Sequence, residues 1–444
     1  MDINVKRLKL NNGVRVIIVP LKTKLTYISA NYLLGNYQEK KCEVGLTHYC
    51  EHLLARLTST KYKNVTYINN EIYRRGGITN AYVTKYETSI YISGLYEDLE
   101  FYMDILSNTI NKFYIDKNIN KEKGAVIQEY RRIISDSNYK FKFNMFKFLY
   151  PKYSYIEDYK NMITNIKYFD NKQVIKYINE HLNTDNLIIT ITCPSNKINE
   201  TIKNVKKYFG IIKYKKSNLV YPTLKHISKL RIVNIKNDNI DINNSIVIHL
   251  SKKIAFLSDE HLILYYIQRI LFNFNSGIFY KILRKKLGII YYIGLSINID
   301  NYNAEMSYYN ITSQCQHINM SLFLENTINI LENYDMKDED IKNAKNYFKV
   351  LYENKKFFNL SSYNEEYKAQ LLFNNDIVKN ATIFKKIMSI KASKIKEYYK
   401  NIFVKDILSR HILFYYSNSN INKKIELIYK KHIPNEKCET YYIN

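Results

Sequence analysis

The sequence predicts an α+β fold of two homologous halves, each a mostly antiparallel β-sheet packed with α-helices. Three observations carry this. Period-2 and period-3.6 apolar patterns alternate without the regular strand–helix–strand rhythm of a parallel sheet. A stretch at 213–229 mixes Lys, Ser, Tyr and Pro with no clear period, as a linker does. After it the order restarts, strand, strand, then helix, as expected of a diverged duplication. The expected division is therefore 1–212, a linker at 213–229, and 230–444.

In the first half, strands are predicted at 14–19, 27–34, 88–94 and 187–192, where β-branched and aromatic residues cluster. Helices are predicted near 46–58, 66–75, 96–110, 120–135 and 170–181. In the second half the strands fall at 231–235, 245–250 and 289–299, with helices near 259–271 and 278–287. Helices then dominate at 320–334, 338–355 and 381–399, before a closing strand at 410–416.

Composition narrows the function classes. Of 444 residues, Ile (64), Lys (56), Asn (54) and Tyr (44) make up about half. These are the residues an A/T-rich coding sequence supplies most readily, so the net charge of +26 is largely background. The lysines are spread along the chain, and Lys outnumbers Arg 56 to 11, which argues against a specific nucleic-acid partner. No apolar run approaches the length of a membrane span. Five scattered cysteines suit reduced thiols rather than a disulfide framework. With no leader visible, the expected compartment is the cytoplasm, although a processed organellar protein would look the same.

The segment Gly45-Leu46-Thr47-His48-Tyr49-Cys50-Glu51-His52 carries the chemistry. At about 100° per residue, His48, Glu51 and His52 fall within about a 100° arc of one helix face. Two imidazoles one turn apart can chelate a zinc ion, and a carboxylate on the same face can reach the zinc-bound water rather than the metal. This is the inverted His-x-x-Glu-His zinc-peptidase arrangement, with a chance expectation of about 0.01 in a chain of this length and composition. The competing reading is two surface histidines with an unrelated glutamate. A catalytic zinc needs a third protein ligand. Glu122 and Glu129, seven residues apart, share a face of a later helix. Either could ligate, and the other would orient a histidine from behind.

With these residues in view, the sequence resembles the pitrilysin/insulinase family of zinc peptidases, in the short two-domain form of mitochondrial processing peptidase and its bacterial relatives. Glu129 follows His52 by 77 residues, the family spacing for the third ligand. The resemblance thus implies zinc on His48, His52 and Glu129, one ion per chain, with Glu122 behind a ligand and Glu51 as base. Asn11-Asn12-Gly13-Val14-Arg15-Val16 resembles the family's opening strand, and Gly35 and Gly45-Leu46-Thr47 its approach to the zinc helix. Gly76-Gly77-Ile78-Thr79-Asn80-Ala81-Tyr82 resembles the segment whose edge strand receives substrate, which implies substrate contacts at Asn80, Ala81 and Tyr82. Arg284 and Tyr291, also seven apart, resemble the paired Arg and Tyr that hold peptide carbonyls near the zinc. The second half, which carries them, has no zinc motif of its own.

The function implied is a zinc-dependent endopeptidase acting on unfolded peptides or presequence-like segments bound as an added strand in a chamber. The partners implied are the peptide and a second subunit, as a homodimer or as a heterodimer with a related chain. The alternative is a catalytically silent peptide-binding or scaffolding subunit; a basic nucleic-acid-binding protein, resting on charge alone, ranks below both.

Overall fold

In the computed structural model the chain is described at residues 3–115, 119–136, 138–218, 229–236, 244–300, 306–354, 360–374, 377–417, 421–434 and 438–443. In chain order it runs β1 (Lys6–Lys9), β2 (Arg15–Leu21), β3 (Leu25–Tyr32), α1 (Leu46–Leu54), α2 (Val65–Arg74), β4 (Ile78–Val83) and β5 (Thr88–Leu95). Then come α3 (Leu99–Asn111), α4 (Ile119–Ser135), α5 (Tyr139–Leu149), α6 (Tyr159–Tyr168), α7 (Asn171–His181), β6 (Leu187–Pro194) and α8 (Ile198–Phe209). The series restarts with β7 (Arg231–Lys236), β8 (Asn244–Ser251), α9 (Asp259–Leu271), a π-helical stretch Tyr280–Lys286, β9 (Ile290–Asn298) and β10 (Tyr308–Cys315). It continues through α10 (Met320–Asn333), α11 (Asp338–Asn354) and α12 (Leu360–Asn374), and ends with β11 (Ile412–Ser417) and β12 (Glu439–Ile443) among further short helices.

The protein is α+β, with two six-stranded sheets ordered β1-β2-β6-β3-β5-β4 and β12-β7-β11-β8-β10-β9. Each sheet is antiparallel apart from pairs such as β2 with β6 and β7 with β11. Matching strands occupy matching places: β2, β3, β4, β5 and β6 of the first sheet correspond to β7, β8, β9, β10 and β11 of the second. The flanking strand comes from opposite chain ends, β1 running antiparallel to β2 and β12 parallel to β7. This shared order is the physical record of the internal duplication.

The chain divides into two compact units. One comprises Met1–Asp136, Lys152–Pro222 and Phe357–Ile377; the other comprises Ser137–Pro151, Thr223–Lys356 and Val378–Asn444. Each unit thus contains a helix from the sequence of the opposite half. Most of the segment expected as a linker, residues 219–228, lies outside the described residues.

In the first unit, Val16 and Ile18 of β2 point into the main core with Leu53, Leu54, Met103 and Leu106. Ile17 and Val19, on the opposite face, pack with Ile188 against Tyr363, Tyr367 and Leu371 of α12. A strand covered on both faces needs an unbroken apolar run, and Val16-Ile17-Ile18-Val19 is one. In the second unit, Ile232 and Ile248 face the large core, while Val233, Ile235, Val247, Ile412 and Phe414 face Phe141 and Leu149 of α5. Among the described residues no helix is long and apolar enough to cross a membrane.

Candidate metal centre

Helix α1 is fixed at its start by backbone geometry that glycine permits. Gly45 sits at φ +93°, a left-handed conformation costly for other residues. Upstream, a Cβ on Gly35 would lie 2.3 Å from the carbonyl oxygen of Thr84, because the loop there hydrogen-bonds closely to the β4–β5 turn. The first-turn amides of α1 are met by a distant carboxylate. Glu39, only 3 % exposed, accepts from the backbone N–H of Gly45 at 2.9 Å and of Thr47 at 2.6 Å. Thr47 Oγ1 also meets the Tyr177 hydroxyl at 2.6 Å, and Asn165 Nδ2 donates to the Val44 carbonyl at 3.1 Å. The helix ends at Leu54, short of the predicted position 58, because Leu57 takes a left-handed φ of 54°. Burying the Leu57 side chain gains about 1.5–3 kcal/mol, which offsets a backbone cost of about 1–2 kcal/mol.

His48 and His52 stand one turn apart on α1, ring centroids 5.0 Å apart, and α4 presents Glu129 to both. His48 Nε2 lies 3.3 Å from Glu129 Oε2, and His52 Nε2 lies 3.6 Å from Glu129 Oε1. The three donor atoms fall within 4.8 Å of one another, and two imidazole nitrogens with a carboxylate form a donor set that fits zinc. Glu51 reaches the same point from the α1 side, its Oε2 3.8 Å from Nε2 of each histidine. Glu122 faces the other side of His52, Oε2 to Nδ1 at 3.7 Å, and its Oε1 accepts from Arg56 Nη1 at 2.8 Å. Tyr130, one residue beyond Glu129, packs its ring 5.0 Å from that of His48.

Burial, helped by the neighbouring His52, pulls the His48 imidazole down to about 4, which keeps it neutral and able to ligate. Burial, then the Glu129 and Glu122 charges, pushes the Glu51 carboxyl up to about 7. Burial likewise pushes Glu39 up to about 7, against the lowering pull of its two amide donors.

His48, Glu51, His52, Arg56, Glu122 and Glu129 line a cavity of about 600 Å³ with Asn80, Ala81, Tyr82 and Val83 of β4. Strand β4 ends its sheet and pairs with β5 alone among the described strands, so its outer backbone edge is available. The three β4 residues differ in what they offer. Asn80 Oδ1 accepts from the Ala81 amide at 2.9 Å, and Ala81 is largely buried. The Tyr82 hydroxyl joins a polar cluster, sharing its one proton between the Glu87 and Glu365 carboxylates, each at 3.0 Å, and accepting from Lys368 at 2.7 Å.

Arg284 and Tyr291 belong to the second unit, where they form a pair. Arg284 Nη1 donates to the Ile290 carbonyl at 3.0 Å, and its guanidinium carbon lies 5.4 Å from the Tyr291 ring centre. Tyr291 is 64 % exposed.

The sequence reading brought His48, Glu51, His52, Glu122, Glu129 and the β4 segment to one place, and it missed two residues of the site. Arg56 was legible as the third member of the spacing His48, His52, Arg56. Glu39 had a weaker signal, since an acid six residues before the first helical turn matches no local capping box.

A metal-ready cluster on a helix, beside a free strand edge in one half of a duplicated α+β chain, defines the class as an insulinase-type peptidase fold. Comparison with known proteins agrees. The family model described as insulinase (peptidase family M16) matches residues 32–146, and the one described as peptidase M16 inactive domain matches residues 168–348. The chain belongs to the M16 peptidase family. It is 22 % identical over 280 residues to the mitochondrial-processing peptidase subunit beta of Dictyostelium discoideum, a match covering 61 % of this chain and 57 % of that one. The chain thus spans little more than half of that relative's length. Among solved structures it resembles a protease from Helicobacter pylori, with a TM-score of 0.78, 16 % identity, and 94 % and 100 % of the two chains covered. It also resembles the first half of the periplasmic protease PqqL from Escherichia coli, with a TM-score of 0.76, 17 % identity and 98 % of each chain covered. At such identities these two likenesses establish the fold.

Proposed function

We propose that the chain is a zinc-dependent endopeptidase that cleaves unfolded peptides bound along β4. The observation that carries the reading is the meeting of three donor atoms within 4.8 Å, with a fourth carboxylate, Glu51, beside them and an open strand edge on the same cavity. His48, His52 and Glu129 would hold the ion. When bound, zinc supplies Lewis acidity, making water acidic near neutral pH and polarising the scissile carbonyl.

Glu51 takes the proton of the attacking water and delivers it to the leaving amine. The outer edge of β4 aligns the peptide through backbone hydrogen bonds, which demand little of the substrate's sequence. Arg284 and Tyr291 act as donors, Arg284 to a peptide carbonyl and Tyr291 to the developing oxyanion. Their mutual contact supports this by holding the guanidinium beside an exposed phenol.

The domain assignment follows: the catalytic centre in the first half, 1–212, and peptide-holding groups in the second, 230–444. One zinc per chain and a homodimer complete the reading, with a sedimentation mass of two chains expected and a fully active monomer contradicting it. Five free thiols support a reducing compartment such as the cytoplasm, to be checked by fractionating the source cells; a membrane or periplasmic fraction would contradict it.

The second reading is a silent subunit. It draws on the inactive-domain match at 168–348 and on the relative whose name makes it one subunit of a peptidase. The intact donor set and the placement of Glu51 favour the active reading. The test is cleavage of an unstructured peptide by wild type and Glu51→Gln, with zinc content measured for both. The expected result is retained zinc and a rate at least ~100-fold lower in the variant. Equal cleavage by both, or none by zinc-loaded wild type, refutes the proposal.

A further inference from the structure

We propose that Arg56 is a positioning residue of the metal centre: it holds Glu122, and Glu122 in turn holds His52. The inference rests on the zinc reading of the cluster and names a residue that the ligand set itself does not contain.

The geometry is a chain of three side chains ending on a ligand. Arg56 Nη1 donates to Glu122 Oε1 at 2.8 Å, a full charge-assisted hydrogen bond. The other oxygen of that carboxylate faces His52 Nδ1 at 3.7 Å. The far nitrogen of His52, Nε2, faces Glu129 Oε1 at 3.6 Å on the donor side of the cluster. For His52 to offer Nε2 to a metal, its proton must sit on Nδ1, and a carboxylate facing Nδ1 selects that tautomer.

At 3.7 Å the carboxylate–imidazole contact is too long to fix its own geometry. The short bond to the guanidinium is what keeps the carboxylate plane turned toward His52. Without it Glu122 is one of three carboxylates lining an open cavity, with Glu51 and Glu129, and is free to swing toward the cation it should stand behind. Arg56 is the one Arg or Lys among the described residues lining that cavity. It is only 17 % exposed at the side chain, and Glu122 25 %, so the pair is sheltered from solvent.

Two effects of removing Arg56 oppose each other, which makes the sign of the result informative. Loss of a positive charge beside a dication site tightens metal binding. Loss of Glu122's orientation loosens it, and removing an outer partner of a ligand histidine typically weakens metal affinity about 10–100-fold. If Arg56 acts through Glu122, the second effect prevails.

The test is zinc affinity of the full chain, by competition with a chelator of known affinity, for wild type, Arg56→Met, Arg56→Lys, Glu122→Gln and the Arg56→Met/Glu122→Gln double variant. Arg56→Met is expected to bind zinc about 10–100-fold more weakly, and the double variant no more weakly than Glu122→Gln alone. Arg56→Lys, which keeps the charge without the planar fork, should recover only part of the loss. It carries the test by itself should Arg56→Met fail to fold, wild-type affinity then overturning the proposal. Zinc binding by Arg56→Met equal to or tighter than wild type, or losses that multiply in the double variant, also overturns it. A wild type that binds no zinc fails the reading of the site itself, and this proposal with it.

Discussion

Glu39 meets the start of the helix that carries both histidines and Arg56 stands just beyond its end, and neither belongs to the motif that made the helix recognisable. Glu39 satisfies two first-turn amides from a buried position, so replacing it leaves donors unpaired away from water. Glu39→Gln keeps the volume but presents an amide group where a second acceptor is needed. We expect it to destabilise the fold by about 1–3 kcal/mol, read as a lowered midpoint of denaturant unfolding; an unchanged midpoint would show that Glu39 is not the cap. His48, Glu51 and His52 were legible because their spacing puts them on one face of a helix. Glu39 was not, because its hydrogen bonds close a loop whose path sequence periodicity does not reveal. Tyr82 shows the converse: its segment was legible as a strand edge, while the contact of its hydroxyl with Lys368 depends on a helix some 280 residues further along the chain.

That helix, α12, shows what an element contributes beyond its own sequence pattern. Tyr363, Tyr367 and Leu371 recur every four residues and cover the second face of the first sheet. Between them, Lys368 is 3 % exposed and contacts Glu87 and Glu365 at 2.5 Å and the Tyr82 hydroxyl at 2.7 Å. A buried ion pair broken from one side leaves a charge without compensation. Lys368→Met is therefore expected to cost about 3–5 kcal/mol, measured by denaturant unfolding, and a loss under about 1 kcal/mol would contradict the pairing. Helix α12 escaped the sequence reading because buried Asn364 and Lys368 interrupt its apolar stripe. Strand β10 escaped because its inward positions are filled partly by Ser313, Tyr309 and Cys315 among polar neighbours. The apolar strands were plain, and their unbroken runs already demanded cover on both faces; the identity of the covering helices was hidden by distance in sequence.

Across the molecule, the two units share a strand order but carry opposite pH sensitivities. In the second unit His261 and His411 are buried and neutral, each drawn down to about 4 by burial. His261 Nδ1 accepts the Leu257 amide at 3.0 Å, and His411 donates from Nδ1 to the Ile407 carbonyl while its Nε2 accepts from the Tyr429 hydroxyl. A histidine whose folded pKa lies below its unfolded value near 6.5 binds its proton more readily when unfolded. Its stabilising contribution is therefore full above about pH 6.5 and is lost as pH falls toward 4. In the first unit, Glu39, raised to about 7 by burial, takes up a proton in the folded state as pH falls, the opposite sign. Amide exchange protection, corrected for intrinsic rates, should fall in β8 and β11 between pH 7 and 5.5 more than in β3 and β6; equal changes would contradict this assignment. The duplication and the helix carrying His48 and His52 were legible from pattern and motif, but this asymmetry was not, since it depends on which histidines are buried. The central claim, a zinc-dependent peptidase, is tested most directly by stripping the purified chain with a chelator and titrating zinc back while following cleavage of an unstructured peptide. Activity that disappears on stripping and returns to a plateau at one zinc per chain is the predicted result; cleavage that persists without zinc, or never appears with it, would contradict the account.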